Sequence, residues 1–301
     1  MTKKKIERLY PVCKDYIWGG AKLREKYGKL TDANPCAESW ELSFHKDGPC
    51  KISDGRTLAE AITADDIGTR AEKFPYFPTL IKFIDAKSDL SVQVHPSDEY
   101  ALKNESSYGK TEMWYIVDAD CGAGIYLGFK EDVTAEELKK AIAEKRLSEL
   151  LNFYPVKPGE SYFIPAGTIH AIGKGCLICE VQQNSNLTYR VYDYGRKDKF
   201  GNERELHIEK ALAVTSLMRF EAEPRSSGIL GSCDYFTVTK ESVSGVFETF
   251  SDTESYNAVT CTAGCGVIEG EKISAGDSFF IPAGYGIYRI EGNLEVLITK
   301  T

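Results

Sequence analysis

Pro158-Gly-Glu-Ser-Tyr-Phe-Ile-Pro-Ala-Gly167 returns as Ala275-Gly-Asp-Ser-Phe-Phe-Ile-Pro-Ala-Gly284, at an offset of 117 (275 less 158). The two segments differ only by Pro to Ala, Glu to Asp and Tyr to Phe. Each has a glycine turn, a short aromatic run with strand character and a closing Ile-Pro-Ala-Gly. A shorter match pairs Thr111-Glu112 and the glycines near 122–128 with Thr253-Glu254 and the glycines near 264–270, at an offset of 142 (253 less 111). The offsets differ by 25 (142 less 117), and a capped helical pattern at 134–151 lies inside that interval. Such self-similarity reads as one structural unit built twice, with a helix-bearing insertion near 130–155 in the first copy.

Around this repeat the chain consists mostly of short β-rich runs broken by Gly, Pro, Asn and Asp. They include Leu80–Ile84, Leu90–His95, Met113–Val117, Ser161–Ile164, Leu177–Val181, Leu187–Tyr192 and Leu294–Thr299. Thr57 with Glu60, and Thr134 with Glu137, have capping-box spacing and predict helices over Leu58–Ile62 and Ala135–Leu151. A third helix is expected over Ile208–Leu217. The pattern resembles the cupin barrel, a small jelly-roll. The expected fold is therefore mainly β, with two cupin-type barrels and a few helices. Residues 1–222 form a metal-binding catalytic domain in this reading, and residues 223–301 a C-terminal domain without a metal.

The 301 residues are 42% hydrophobic and 27% charged, with a net charge of -8, which suits a folded protein and lacks the basic footprint of a nucleic-acid binder. No apolar run has the length of a membrane span, and the N-terminus carries no signal-peptide pattern, so the expected location is the cytoplasm. Nine cysteines, an odd number, fit free thiols in a reducing compartment. The Cys176-x-x-Cys179 pair lies in what reads as a buried strand, which disfavours a structural zinc there.

Only four histidines occur, at 45, 95, 170 and 207. In Ser91-Val-Gln-Val-His-Pro96, strand alternation puts Gln93 and His95 on one face. In Gly109-Lys-Thr-Glu-Met-Trp-Tyr115 it does the same for Lys110, Glu112 and Trp114. His170 follows the first copy of the repeat. Inward faces of a small barrel converge, so His95, Glu112 and His170 make a site suited to Zn²⁺ or another divalent ion, one per chain. Gln93 can add a neutral oxygen. His45 reads as a loop residue and His207 as structural. In the second copy the residue aligned with His170 is Ile287 or Tyr288, and Glu254 is expected opposite Glu112. Arg190, in the aromatic-rich run Thr188-Tyr-Arg-Val-Tyr-Asp193, is expected to be buried against a partner or an anion.

These segments, with Tyr16-Ile-Trp-Gly-Gly20, Glu38-Ser-Trp-Glu-Leu-Ser43 and Pro165-Ala-Gly-Thr-Ile-His170, closely resemble the mannose-6-phosphate isomerases in their short bacterial form. The resemblance covers residues 10 to 195 in the family's order. It implies zinc-dependent interconversion of mannose 6-phosphate and fructose 6-phosphate. It further implies that Gln93, His95, Glu112 and His170 match the metal ligands, Arg190 the active-site arginine and Lys110 a lysine close to the substrate. The base that moves the proton is left open among Glu, His, Lys110 and metal-bound hydroxide. Other readings are a cupin isomerase or epimerase for a different sugar phosphate, and a non-catalytic sugar-binding protein of two cupin barrels.

Overall fold

The structure, a computed structural model, describes residues 4–197 and 200–301. It is mainly β, with three antiparallel sheets, none of them closed on itself. The central sheet has six strands in the order Val12–Lys14, Glu38–Leu42, Thr79–Asp85, Cys176–Gln183, Glu112–Ala119 and Ser161–Ile164. A second sheet has five: Tyr189–Tyr192, Val92–Val94, His170–Ile172, Gly124–Phe129 and Leu151–Pro155. The third sheet, with seven strands, is built mainly from residues 229–300. Its edge is Glu7–Leu9 from the other end of the chain, paired antiparallel to Ser278–Ile281.

Thr79–Asp85 is buried at every residue because both faces of the central sheet are covered. Ile81 and Phe83 pack with Met113, Tyr115, Cys179 and Val181 against Phe236, Tyr256, Phe280 and Leu297 of the third sheet. On the opposite face Ile84, Trp114, Ile116 and Ile178 pack against Ile125, Leu127 and Ile172 of the five-stranded sheet. Two-sided burial is why these strands read as nearly continuous apolar runs. Cys176 and Cys179 fall in these two different cores, on opposite faces of one strand, so they cannot converge on a common ion. All nine cysteines are free thiols.

Three of the helices cover the back of the five-stranded sheet. Leu138 of Ala135–Ala143, Leu147 of Leu147–Leu150 and Ala211 of Ile208–Val214 pack with Val92, Val94, Tyr189 and Val191. Both expected capping boxes form, at Thr57/Glu60 and Thr134/Glu137. The helix expected over Ala135–Leu151 is interrupted, because Lys145 takes a left-handed φ of 58° that no α-helix continues through. The third helix ends at Val214, short of the expected Leu217. Among the described residues no helix is long and apolar enough to cross a membrane.

The longer repeat is a repeat in register as well as in sequence. Ser161–Ile164 pairs with Glu112–Tyr115 (Ser161 with Tyr115, Ile164 with Glu112), and Ser278–Ile281 pairs with Asn257–Thr260 in the same manner. This corrects the shorter match: Asn257, not Glu254, takes the place of Glu112. Glu254 lies outside the strand and forms an exposed ion pair with Arg70. The segments leading into the two strands differ: a helix, Asp98–Asn104, precedes Glu112, whereas only residues 252–256 separate Asn257 from the strand before it.

Candidate metal centre and active site

The five-stranded and central sheets face each other across the site. Gln93 lies directly opposite His170 in one ladder and opposite Arg190 in the next, so all three side chains leave one face. Glu112 enters from the central sheet, where it pairs with Gln182 and Ile164. His95 follows the strand that carries Gln93.

The ligating atoms of His95, Glu112 and His170 all lie within 4.8 Å of one another. Glu112 Oε1 is 3.4 Å from His170 Nε2, and Oε2 is 3.6 Å from His95 Nε2. The far nitrogen of each ring is committed: His95 Nδ1 donates to Leu187 O and His170 Nδ1 to Thr168 O, both at 2.8 Å. This fixes the tautomer and leaves each Nε2 lone pair aimed at the shared point, the usual posture of a metal-ligating imidazole. Glu112 Oε1 is buried without a hydrogen-bond partner. A buried carboxylate oxygen left unpaired is costly, and a cation between it and the two Nε2 atoms removes that cost. The donor set fits a divalent ion. Gln93 Nε2 stands 3.4 Å from His170 Nε2, at the edge of the same point.

Burial holds His170 down at about 4 and His95 well below its ordinary value, so both are neutral near pH 7. Burial and the charge of Glu180 push Glu112 up to about 7 against the pull of Lys110. Lys110 Nζ bridges Glu112 Oε2, His95 Nε2 at 3.2 Å and Glu180 Oε1 at 3.3 Å.

Lys110 and Gln93 line a cavity of about 240 Å³. Tyr16, Trp18, Leu90 and Ile172 line its apolar side, and Glu38, Lys82 and Glu180 its charged side. The Trp18-Gly-Gly20 turn is explained by close packing: a Cβ on Gly19 would meet Ala37 Cβ at 2.3 Å, and one on Gly20 would meet Asp85 Oδ2 at 2.3 Å. Asp85 Oδ2 in turn accepts from Lys22 N at 2.7 Å and anchors the turn that presents Tyr16 and Trp18.

Arg190 and Arg204, both half-buried, and the buried Ser91 also line the cavity. Arg190 Nε donates to Ser91 Oγ, and its Nη1 to Glu205 O, both at 3.2 Å. Among the described residues no carboxylate pairs with it. Arg204 is instead held by Asp193 through two bonds of 2.7 and 2.6 Å. His45 packs edge-on against Trp40 beside Asp47, and His207 accepts from Arg190 N at 3.2 Å. Neither histidine lines the cavity.

Glu38, Lys82, Glu180, Asp193 and Arg204 were not singled out by sequence reasoning. Lys82 and Glu180 are each flanked by apolar residues inside a buried strand, which hints that their charges are paired but not with what.

Two family models match the chain: phosphomannose isomerase type I, catalytic domain, over residues 6–120, and mannose-6-phosphate isomerase, cupin domain, over residues 229–300. A mannose-6-phosphate isomerase from Streptococcus mutans is 36% identical over 303 residues, covering 95% of each chain. The mannose-6-phosphate isomerase ManA of Bacillus subtilis is 36% identical over 309 residues, covering 96% of each. The crystal structure of the mannose 6-phosphate isomerase from Bacillus subtilis superposes with a TM-score of 0.89 at 34% identity, over 98% of this chain and 99% of that one.

Proposed function

The chain belongs to the mannose-6-phosphate isomerase family, and from that premise we infer that it interconverts mannose 6-phosphate and fructose 6-phosphate through an enediolate. The observation that carries the reading is the convergence of two neutral imidazoles and an unpaired carboxylate oxygen beside Lys110, which lines a polar cavity.

His95, Glu112 and His170 hold the ion in this reading, with Gln93 as a fourth, neutral donor, and zinc suits such nitrogen and oxygen ligands. Bound by these residues, a divalent ion would supply Lewis-acid polarisation of the substrate oxygens. The chain's own residues do the rest. Lys110, held between Glu112 and Glu180, carries the proton beside the ligating residues, where transfer between C1 and C2 must occur. Arg190, free of any carboxylate partner among the described residues, balances the negative charge that develops on the enediolate oxygens. Arg204 and Ser91 take the phosphate, with Asp193 fixing the Arg204 fork. Trp18, Leu90 and Ile172 exclude water from the face between.

The architecture is read as two jelly-roll units: residues 1–222 with the metal, an insertion near 130–155, and residues 223–301 as a supporting unit. The repeated ladder register supports that division. The charged sugar-phosphate substrate of this reading favours a cytoplasmic location.

The deciding experiment is a coupled assay of fructose 6-phosphate formation from mannose 6-phosphate, with and without chelator. Activity that is lost on chelation and restored by Zn²⁺, Co²⁺ or Mn²⁺ is expected. Metal-replete protein that turns over no hexose phosphate would defeat the assignment.

A further inference from the structure

A straight cross-strand row runs across the central sheet: Trp40 faces Lys82, Lys82 faces Glu180, and Glu180 faces Trp114. Lys82 Nζ lies 3.0 Å from Glu180 Oε1 and 3.5 Å from Glu38 Oε2. Each carboxylate also accepts an indole N–H at 2.7 Å, Glu38 from Trp40 and Glu180 from Trp114. From the other side Lys110 Nζ reaches the same Glu180 Oε1 at 3.3 Å. One carboxylate oxygen is therefore shared by two ammonium groups, both almost wholly buried. Charges alternate along the chain Glu38, Lys82, Glu180, Lys110, Glu112.

The fold does not require this arrangement. A well-packed apolar set of similar volume usually serves stability as well as a buried ion pair, or better. Burial favours the neutral amine of Lys82, but Glu180 and Glu38 outweigh it and keep the group charged. What the row does accomplish is local. With Lys82 present, Glu180 is already neutralised from one side, and its pull on Lys110 is divided. With Lys82 absent, Glu180 has Lys110 as its one ammonium partner, and attraction at this separation in a dry site is strong.

We propose that Lys82 is a positioning residue for the reaction: by occupying Glu180 Oε1 it keeps the Lys110 ammonium beside His95 and Glu112 rather than drawn onto Glu180. The proposal rests on the isomerase reading for its kinetic consequence, but its geometric claim stands apart from it.

The test compares metal-loaded wild type with Lys82→Met, Glu180→Gln and the double variant, by kinetics, metal content and crystal structures. Lys82→Met is expected to lower kcat on the order of 10- to 100-fold, the usual cost of losing a group that orients an active-site residue. KM and metal content should stay near wild type, and Lys110 Nζ should move toward Glu180. The double variant should match Glu180→Gln, because without the carboxylate charge Lys82 has nothing to offset. Wild-type kcat in Lys82→Met, metal loss in step with activity loss, or multiplying losses in the double variant would each overturn the proposal. If Lys82→Met does not fold, the double variant, which removes the pair together, decides: a kcat far below that of Glu180→Gln overturns it. If wild type itself turns over no hexose phosphate, the functional reading fails, and the Lys110 position in the Lys82→Met crystal still decides the geometric claim.

Discussion

Asn257 Nδ2 donates to the Tyr288 hydroxyl at 2.9 Å, at the ladder position where the first half of the chain sets Glu112 beside His170. Both residues are buried, and Asn257 Nδ2 also donates to Phe250 O at 3.0 Å. A neutral amide–phenol pair thus fills the space that the first half gives to Glu112 and His170. Tyr288→Phe should destabilise the protein by about 1 kcal/mol, the net value of one such bond. Urea unfolding should show a lower midpoint at unchanged slope. Metal content and kcat should not change, and a drop in either would show that the second half takes part in the site.

His170→Ala removes one of two imidazoles and should leave the protein unable to retain a metal through dialysis. Glu254→Ala, which breaks only an exposed pair with Arg70, should retain it in full. Elemental analysis of both variants checks this. Depletion in Glu254→Ala would mean that the register assigned to the second half is wrong.

Arg190→Ala deletes a guanidinium whose bonds run to Ser91 Oγ and Glu205 O and to none of the three ligating residues. Turnover should fall on the order of 100-fold, the scale of losing one donor to a developing oxyanion. Metal occupancy should remain unchanged. Parallel loss of metal and activity would reassign Arg190 to holding the site together.

Metal uptake by the metal-free protein should depend on pH with a defined sign. Burial and the neighbouring Glu180 charge raise Glu112 to about 7, whereas burial keeps His170 at about 4. Near and below pH 7 Glu112 must therefore shed a proton to ligate, and His170 has none to shed. Affinity should climb as pH rises through 7 and then level off, with up to about one proton released per ion. Calorimetry in buffers of differing ionisation enthalpy measures that release. Uptake without proton release at pH 6 would contradict the raised Glu112.

The trio was legible in sequence because its parts obey local rules. Gln93 and His95, like Lys110 and Glu112, are two residues apart, and alternation alone places each pair on one face. The strand Ser161–Ile164 was legible to the residue because its copy at Ser278–Ile281 repeats it. Glu180 and Lys82 were not, because their significance arises only when three strands distant in sequence come into register. The break at Lys145 is also outside local pattern. The amphipathic period continues past it, and the requirement to enter the strand Leu151–Pro155 overrides that period. Arg204 reaches the cavity from a loop, where no periodicity exists to read.

The pairing of Glu7–Leu9 with Ser278–Ile281 has a consequence for how the molecule is made. Glu7–Leu9 is synthesised well before the strand it hydrogen-bonds, Ser278–Ile281. Until residues 278–281 have been made, that earlier segment waits with its backbone groups facing water, and the seven-stranded sheet cannot be completed. Closure of so long a loop is slow relative to local pairing. A nascent chain stalled before residue 278 would therefore display an unfinished sheet margin, open to capture by a chaperone or by another nascent copy.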